Sequence, residues 1–117
     1  MTAECPYAGI PEYLDKQPKD TRGIPGAKGT HICCTGSGEF VAGYAARSSL
    51  IPRIVERPKA VIGKVDAVII ATDIGSEHVE RARPFVEAGI PIFVDKPLVD
   101  NARDLTVFNA WVEQGSP

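Results

Sequence analysis

Three features are absent from this 117-residue sequence. Its longest apolar run, Ala67–Ala71, is far shorter than the roughly 20 apolar residues that span a bilayer, so we expect no membrane segment. The N-terminus has no charged start followed by an apolar stretch, which predicts no signal peptide and a cytoplasmic location. The 13 Lys and Arg do not form a basic block, and they face 15 Asp and Glu, so we expect no nucleic-acid partner.

Cysteine is scarce, and its three copies are Cys5, Cys33 and Cys34. An odd number without an export signal favours reduced thiols over a disulfide framework. His31 precedes the adjacent pair, but His-x-Cys-Cys lacks the Cys-x-x-Cys spacing of a zinc knuckle. We therefore expect buried thiols and no bound metal, with metal or redox chemistry as the alternative.

The first part of the chain predicts little regular structure. Residues 1–30 are punctuated by proline and glycine, with one short helix expected over Pro11–Gln17. A regular pattern begins at residue 31, so we place the domain over 31–117. Thr30–Thr35 predicts a strand, and Glu39–Leu50 predicts a helix. Ile51–Val55 is compatible with a short strand or an extended connection.

The second part of the chain alternates between strands and helices more clearly. Strands are predicted over Val65–Thr72 and Ile90–Val94, which are continuous and apolar. A helical turn is predicted at Pro58–Ile62. The next helix is predicted to be capped by Ser76, interrupted at Pro84 and ended by Gly89. The last helix is predicted to begin at the cap Asn101 and to end at Gly115, and its apolar stripe is Leu105, Phe108 and Val112.

This alternation predicts an α/β fold with a parallel sheet and right-handed crossovers. Continuous apolar strands are typical of parallel sheets with helices on both faces, so we expect a three-layer, Rossmann-type domain. The predicted strands are too few for a whole domain of this type, so we expect an incomplete domain. An uncovered strand edge would then favour a homo-oligomer.

Polar side chains follow the predicted strands, where ligands bind in open α/β sheets. These strand ends are Thr35–Gly38, Thr72-Asp73 and Asp95-Lys96-Pro97. Lys96 has the most evident chemistry, because an ammonium group can stabilise negative charge developing on a substrate oxygen. Pro97 predicts a cis bond that would direct Lys96 into the cleft. The alternative is a solvated lysine before a turn proline.

The segment from Val65 to Leu98 resembles the glucose-fructose oxidoreductase and inositol dehydrogenase (Gfo/Idh/MocA) family. That family has a strand ending in Ala-Thr, here Ala71-Thr72, then a histidine near a helix start, here His78. An Ala-Gly turn follows, here Ala88-Gly89, and then a strand ending in Glu-Lys-Pro, here Asp95-Lys96-Pro97. The resemblance covers about residues 65–115.

The resemblance implies NAD or NADP as cofactor and a sugar, polyol or related carbonyl compound as substrate. Lys96 would contact nicotinamide or substrate and act catalytically. Thr72 and Asp73 would lie beside the nicotinamide ribose, and Asp95 would orient Lys96 or bind a ribose hydroxyl. His78 would shape the cofactor cleft or, alternatively, contact only backbone. The implied cofactor-binding residues are Thr72, Asp73, His78, Asp95, Lys96 and Pro97.

The phosphate-binding glycine motif of such domains is not evident. Gly36-Ser37-Gly38 follows a strand and opens a helix, but Val41 occupies the place of the third glycine. Glu56 is the corresponding candidate for the ribose acid. We favour Thr30–Thr35 as the third strand, with the glycine motif upstream of the chain and the substrate domain downstream. The isolated chain is then expected to be inactive.

Two other functions remain open. A response-regulator receiver also places Thr and Lys-Pro at neighbouring strand ends, but it needs a phosphorylatable Asp about 30 residues before the Thr. No Asp lies between Val41 and Gly43. A non-catalytic nucleotide-binding or assembly domain is the second alternative.

Overall fold

The structure is a computed structural model that describes residues 25–33, 43, 46 and 50–115. The chain divides into two compact units, Met1–Arg57 and Pro58–Pro117. Among the described residues, no helix has the length and apolarity needed to cross a membrane.

Several sequence predictions fall on residues outside the described ranges. They concern the helix at Pro11–Gln17, the glycines of Gly36-Ser37-Gly38, most of the helix at Glu39–Leu50, and two of the three cysteines, Cys5 and Cys34.

The first unit contains two parallel strands, β1 (His31–Cys33) and β2 (Arg53–Val55). Between them Gly43 and Ala46 are helical, and the Ala46 carbonyl accepts a 2.8 Å hydrogen bond from the Ile51 amide. The Ile51–Val55 segment is therefore a strand from Arg53 onward. Pro52 precedes the strand, so its missing N–H costs no ladder hydrogen bond.

This second strand corrects our assignment of Thr30–Thr35 as the third strand of the domain. That assignment required Thr30–Thr35 to be the last strand before Val65–Thr72, yet β2 lies between them in sequence. β2 therefore takes the place before the Ala-Thr strand, and β1 comes one strand earlier. Pro52 made Ile51–Val55 a poor candidate for a central strand, because a proline inside a strand removes a ladder hydrogen bond. The strand begins only at Arg53, after the proline.

The second unit is built on the parallel pair β3 (Val68–Ile70) and β4 (Ile92–Val94). Both strands are shorter than predicted, but backbone hydrogen bonds continue beyond them. The Val68 amide donates to the Pro91 carbonyl, and the Asp95 amide donates to the Ile70 carbonyl, each at 2.9 Å. The predicted adjacency and parallel direction of these two strands are confirmed.

Two α-helices flank the strands, α1 (His78–Glu87) and α2 (Ala102–Glu113), and short 3-10 helices occupy Pro58–Val61 and Gly75–Glu77. The predicted turn after Pro58 and the end of α1 at Gly89, where φ is +70°, are confirmed.

The predicted details of α1 are partly wrong. Ser76 does not cap it, because a 3-10 helix precedes it and the N-cap residue is Glu77, which makes no side-chain cap bond. Pro84 does not split the helix. A proline removes one backbone donor, but the Pro84 carbonyl still accepts from the Ala88 amide at 3.1 Å, so the helix continues past it.

The start of α2 agrees with the sequence, and its buried face does not. The Asn101 side chain accepts a 2.9 Å hydrogen bond from the Asp104 amide, as an N-cap does. The predicted stripe is wrong, because Leu105 and Val112 are exposed. Phe108 is buried, and the partly buried residues beside it on the core-facing side are Val107 and Trp111.

The hydrophobic core of the second unit lies on one face of the β3–β4 sheet. Alternate strand residues pack there against both helices, and the buried members of the cluster are Ile70, Val79, Ala82 and Phe108. On the opposite face Ile69 is 72% exposed and its register partner Phe93 is 63% exposed. The prediction that these strands are buried on both faces is therefore wrong, because no described helix packs on that side.

Candidate functional site

The register of β3 and β4 brings the predicted site residues to one edge of the sheet. Ile70 pairs with Val94, and the strands run parallel. Thr72 and Lys96 each lie two residues beyond that pair, so both follow the carboxyl ends of neighbouring strands. This edge is where open α/β sheets bind their ligands.

The polar side chains at this edge differ in exposure. Thr72 and Asp95 are half-buried, whereas Asp73 and Lys96 are exposed. Within the described part of the chain, the side chains of Asp73, Asp95 and Lys96 make no hydrogen bond or ion pair. Asp95 consequently does not orient Lys96 through an ion pair, and all three charged groups are available to a ligand.

The His78 side chain forms hydrogen bonds to both of the segments that follow β3 and β4. Its side chain is completely buried, at the start of α1. Ring atom Nδ1 lies 3.0 Å from the Leu98 carbonyl oxygen, which follows β4. Ring atom Nε2 lies 2.8 Å from the Thr72 carbonyl oxygen and 3.0 Å from Thr72 Oγ1, which follow β3. The backbone contacts that one sequence interpretation expected for His78 are present, and Thr72 Oγ1 is a side-chain partner as well. The other interpretation, that His78 shapes a cofactor cleft, stays a prediction.

The predicted cis bond between Lys96 and Pro97 is present. It lies within the segment that joins β4 to the N-cap of α2 and that carries the Leu98 carbonyl. Pro97 itself is exposed.

Gly75 allows the two strand-end segments to approach each other. It is buried, and a Cβ built on it would lie 2.7 Å from the carbonyl carbon of Val99 and 2.8 Å from the amide nitrogen of Asp100. Contacts this short cannot exist between real atoms, so a side chain here would push the segments apart. Glycine is needed at this position because of close packing and not because of an unusual backbone conformation, since the φ of Gly75 is not positive.

Asp100 adds a further link between the same segments. A hydrogen bond from the Asn101 side-chain amide, 2.9 Å from Asp100 Oδ1, is the main cause that lowers the pKa of Asp100 below its ordinary value. Desolvation acts in the opposite direction and raises this pKa, and hydrogen bonds from the Ser76 backbone and hydroxyl lower it further. Ser76 thus connects to Asp100 across the strand ends instead of capping α1.

Sequence reasoning missed Gly75, Leu98 and Asp100. A lone glycine before a helix gives no signal of tight packing, because the backbone it touches lies far along the chain. Leu98 contributes its carbonyl group, which every residue has, so its side chain could not reveal the contact.

Other candidate residues lie in the first unit or outside the described ranges. Glu56 follows β2 and is exposed, and Cys33 is half-buried on β1. Gly36-Ser37-Gly38 lies outside the described residues. The described residues contain no group of three or more His, Cys, Asp or Glu that could hold a metal ion.

Comparison with known proteins gives one match. The family model GFO_IDH_MocA, described as an oxidoreductase family with an NAD-binding Rossmann fold, matches residues 26–114, which is more than half of the chain. No curated protein and no solved structure matches the sequence. The matched range contains β1 to β4 and all six cofactor-binding residues that the resemblance implied, and it favours the oxidoreductase hypothesis over the receiver and assembly alternatives.

Proposed function

We propose that this chain, which belongs to the GFO_IDH_MocA family of NAD-binding Rossmann-fold oxidoreductases, binds the nicotinamide half of NAD or NADP at the ends of β3 and β4. The observation that carries the proposal is the shared register of Thr72 and Lys96, each two residues past the pair Ile70–Val94. Parallel strands of this fold direct their carboxyl ends at the dinucleotide.

The polar groups at this edge suit the polar parts of a nicotinamide nucleoside. The Thr72 hydroxyl and the Asp73 and Asp95 carboxylates are placed to hydrogen-bond ribose hydroxyls or the carboxamide. Carboxylates accept from ribose hydroxyls in dinucleotide sites of this fold. Pro97 would form part of the surface against which the nicotinamide nucleoside lies.

Lys96 is the proposed catalytic residue. A bound nicotinamide would supply the hydride acceptor for oxidation of a substrate alcohol, and the hydroxyl proton would pass to solvent water. An exposed ammonium group hydrogen-bonded to the substrate oxygen stabilises the negative charge on that oxygen as the proton departs. The proposed substrate class is a sugar, polyol or related carbonyl compound, in keeping with the hydroxyl and carbonyl groups that such a lysine recognises.

We propose that the chain by itself binds NAD weakly and does not turn over such a substrate. A dinucleotide site of this fold holds the pyrophosphate at a Gly-x-Gly-x-x-Gly turn, and neither strand-end segment of the second unit has that sequence. The strand-end residues would then contribute contacts to the nicotinamide end alone.

Calorimetric titration of the full chain with NAD and with NADP tests this proposal. We expect binding in the millimolar range, which corresponds to about 4 kcal/mol. Micromolar affinity would instead indicate a working phosphate loop at Gly36-Ser37-Gly38. No heat at millimolar NAD or NADP, together with no change in the resonances of Thr72 and Lys96, would reject cofactor binding at this edge.

A further inference from the structure

We propose that His78 is a positioning residue that carries a proton on both ring nitrogens and so turns the Thr72 hydroxyl outward as a hydrogen-bond donor. The imidazole is completely buried between the two strand-end segments, so water does not supply partners for it. Its proton count must therefore match the protein groups that face it.

Each ring nitrogen faces a backbone carbonyl oxygen, which only accepts hydrogen bonds. Nδ1 is 3.0 Å from the Leu98 carbonyl oxygen, and Nε2 is 2.8 Å from the Thr72 carbonyl oxygen. A neutral imidazole has one N–H, so in either tautomer the lone pair of the other nitrogen would face a carbonyl oxygen at hydrogen-bond distance. Only the doubly protonated ring donates to both carbonyls.

Acidic residues outnumber basic ones on the two strand-end segments beside the ring. Asp73 follows Thr72, and Asp95 and Asp100 flank Leu98, whereas Lys96 is the one basic residue of these two segments. On the helix that carries His78, Arg81 is paired with Glu77 at 2.6 Å.

The proton on Nε2 decides what the Thr72 hydroxyl can do. Thr72 Oγ1 is 3.0 Å from Nε2, so with a protonated Nε2 this oxygen accepts a share of the same N–H. The hydroxyl proton then points away from the ring. With an unprotonated Nε2, the hydroxyl would instead donate its hydrogen bond to the ring, and it could then not donate to a ligand.

The consequence for ligand binding rests on the proposed function. At an edge that binds a nicotinamide nucleoside, Thr72 would act as a donor to a ligand acceptor such as a ribose oxygen or the carboxamide carbonyl. His78 acts on the ligand only through Thr72 and through the position of the segment after β4.

Nitrogen NMR of the full chain, with ¹⁵N-labelled histidine at pH 7 and without ligand, tests the proton count. The chain has two histidines, so the variant His31→Asn leaves a single imidazole to observe. We expect both nitrogens of His78 to show the chemical shifts of protonated nitrogen. A neutral ring in either tautomer would overturn the proposal, and this outcome would leave the proposed cofactor site untouched.

The variants Thr72→Val and Thr72→Ser test the role given to the hydroxyl. Valine keeps the Thr72 carbonyl but removes the hydroxyl, so His78 should keep both ring protons in Thr72→Val. A ring that is neutral at Nε2 in the wild type and gains a proton there in Thr72→Val would mean that the hydroxyl had been donating to the ring, contrary to the proposal. NAD should bind about tenfold more weakly to Thr72→Val, as for one lost hydrogen bond, and nearly normally to Thr72→Ser.

Discussion

Gly75 and Val99 lie so close that a Cβ on Gly75 would stand 2.7 Å from the Val99 carbonyl carbon. This contact joins the segment after β3 to the segment after β4, which together carry the proposed cofactor-binding residues. Backbone touching backbone leaves no flexible side chain to move aside, so any residue larger than glycine must displace one of the segments.

The substitution Gly75→Ala should therefore destabilise the protein and disturb the strand-end edge. We expect a loss of about 1–3 kcal/mol in the free energy of unfolding, the usual cost of overpacking, measured by urea denaturation. Gly43→Ala is the matched control, because a Cβ on this helical glycine meets nothing within 4 Å. If both alanine variants unfold at the wild-type urea concentration, the close contact does not exist in solution.

Phe108 supplies the largest buried side chain that α2 adds to the core. It contacts Trp111 edge to face at a centroid distance of 5.1 Å and is only 8% exposed. Phe108→Ala should cost about 3–5 kcal/mol in a calorimetric or urea unfolding experiment. Val112 is 74% exposed, so Val112→Ala should change stability by no more than about 0.5 kcal/mol. Equal effects of the two substitutions would contradict the position of α2.

Asn101 has two measurable roles, which Asn101→Ala removes together. Loss of the cap should reduce stability by about 1 kcal/mol. Loss of its hydrogen bond should raise the pKa of Asp100 toward the ordinary aspartate value, which NMR titration of the carboxyl carbon can follow. Because the folded-state pKa is lowered, this carboxylate stabilises the fold above about pH 3.9, and that contribution is lost as the pH falls through the lowered pKa.

The control for this experiment is Asn101→Asp, which can still cap α2 but cannot donate to Asp100. It should keep most of the cap's stability while raising the Asp100 pKa. An unchanged Asp100 pKa in both variants would mean that Asn101 is not the main cause of the shift.

The apolar face formed by Ile69 and Phe93 should cause self-association. Exposed apolar pairs on a sheet with unpaired edges favour contact with another chain. We propose that the protein forms homo-oligomers through this face, and that Ile69→Lys shifts it toward the monomer in analytical ultracentrifugation. Val112→Lys, a change at an equally exposed apolar residue of α2, should leave the association unchanged. A monomeric wild-type chain would refute the proposal.

For the second unit, the sequence predicted the order of strands and helices better than it predicted which side chains are buried. The two strands were recognisable because each is a continuous apolar run, Val68-Ile69-Ile70 and Ile92-Phe93-Val94. Once the strands are assigned, the polar residues at their carboxyl ends are assigned as well. Which face of α2 packs inward could not be read from spacing, since Leu105 and Phe108 are equally apolar and only the position of the sheet distinguishes them. The same limit applies to His78, because two of its three partners are backbone carbonyl oxygens.

The cofactor proposal is tested most directly by following the backbone amides of the ¹⁵N-labelled chain during a titration with NAD. We predict progressive shifts at Thr72, Asp73, Asp95 and Lys96, which weaken in Lys96→Ala but persist in Lys59→Ala, a matched change at an exposed lysine of the 3-10 helix Pro58–Val61. Shifts confined to other residues, or no shifts at millimolar NAD, would contradict a nicotinamide site at the ends of β3 and β4.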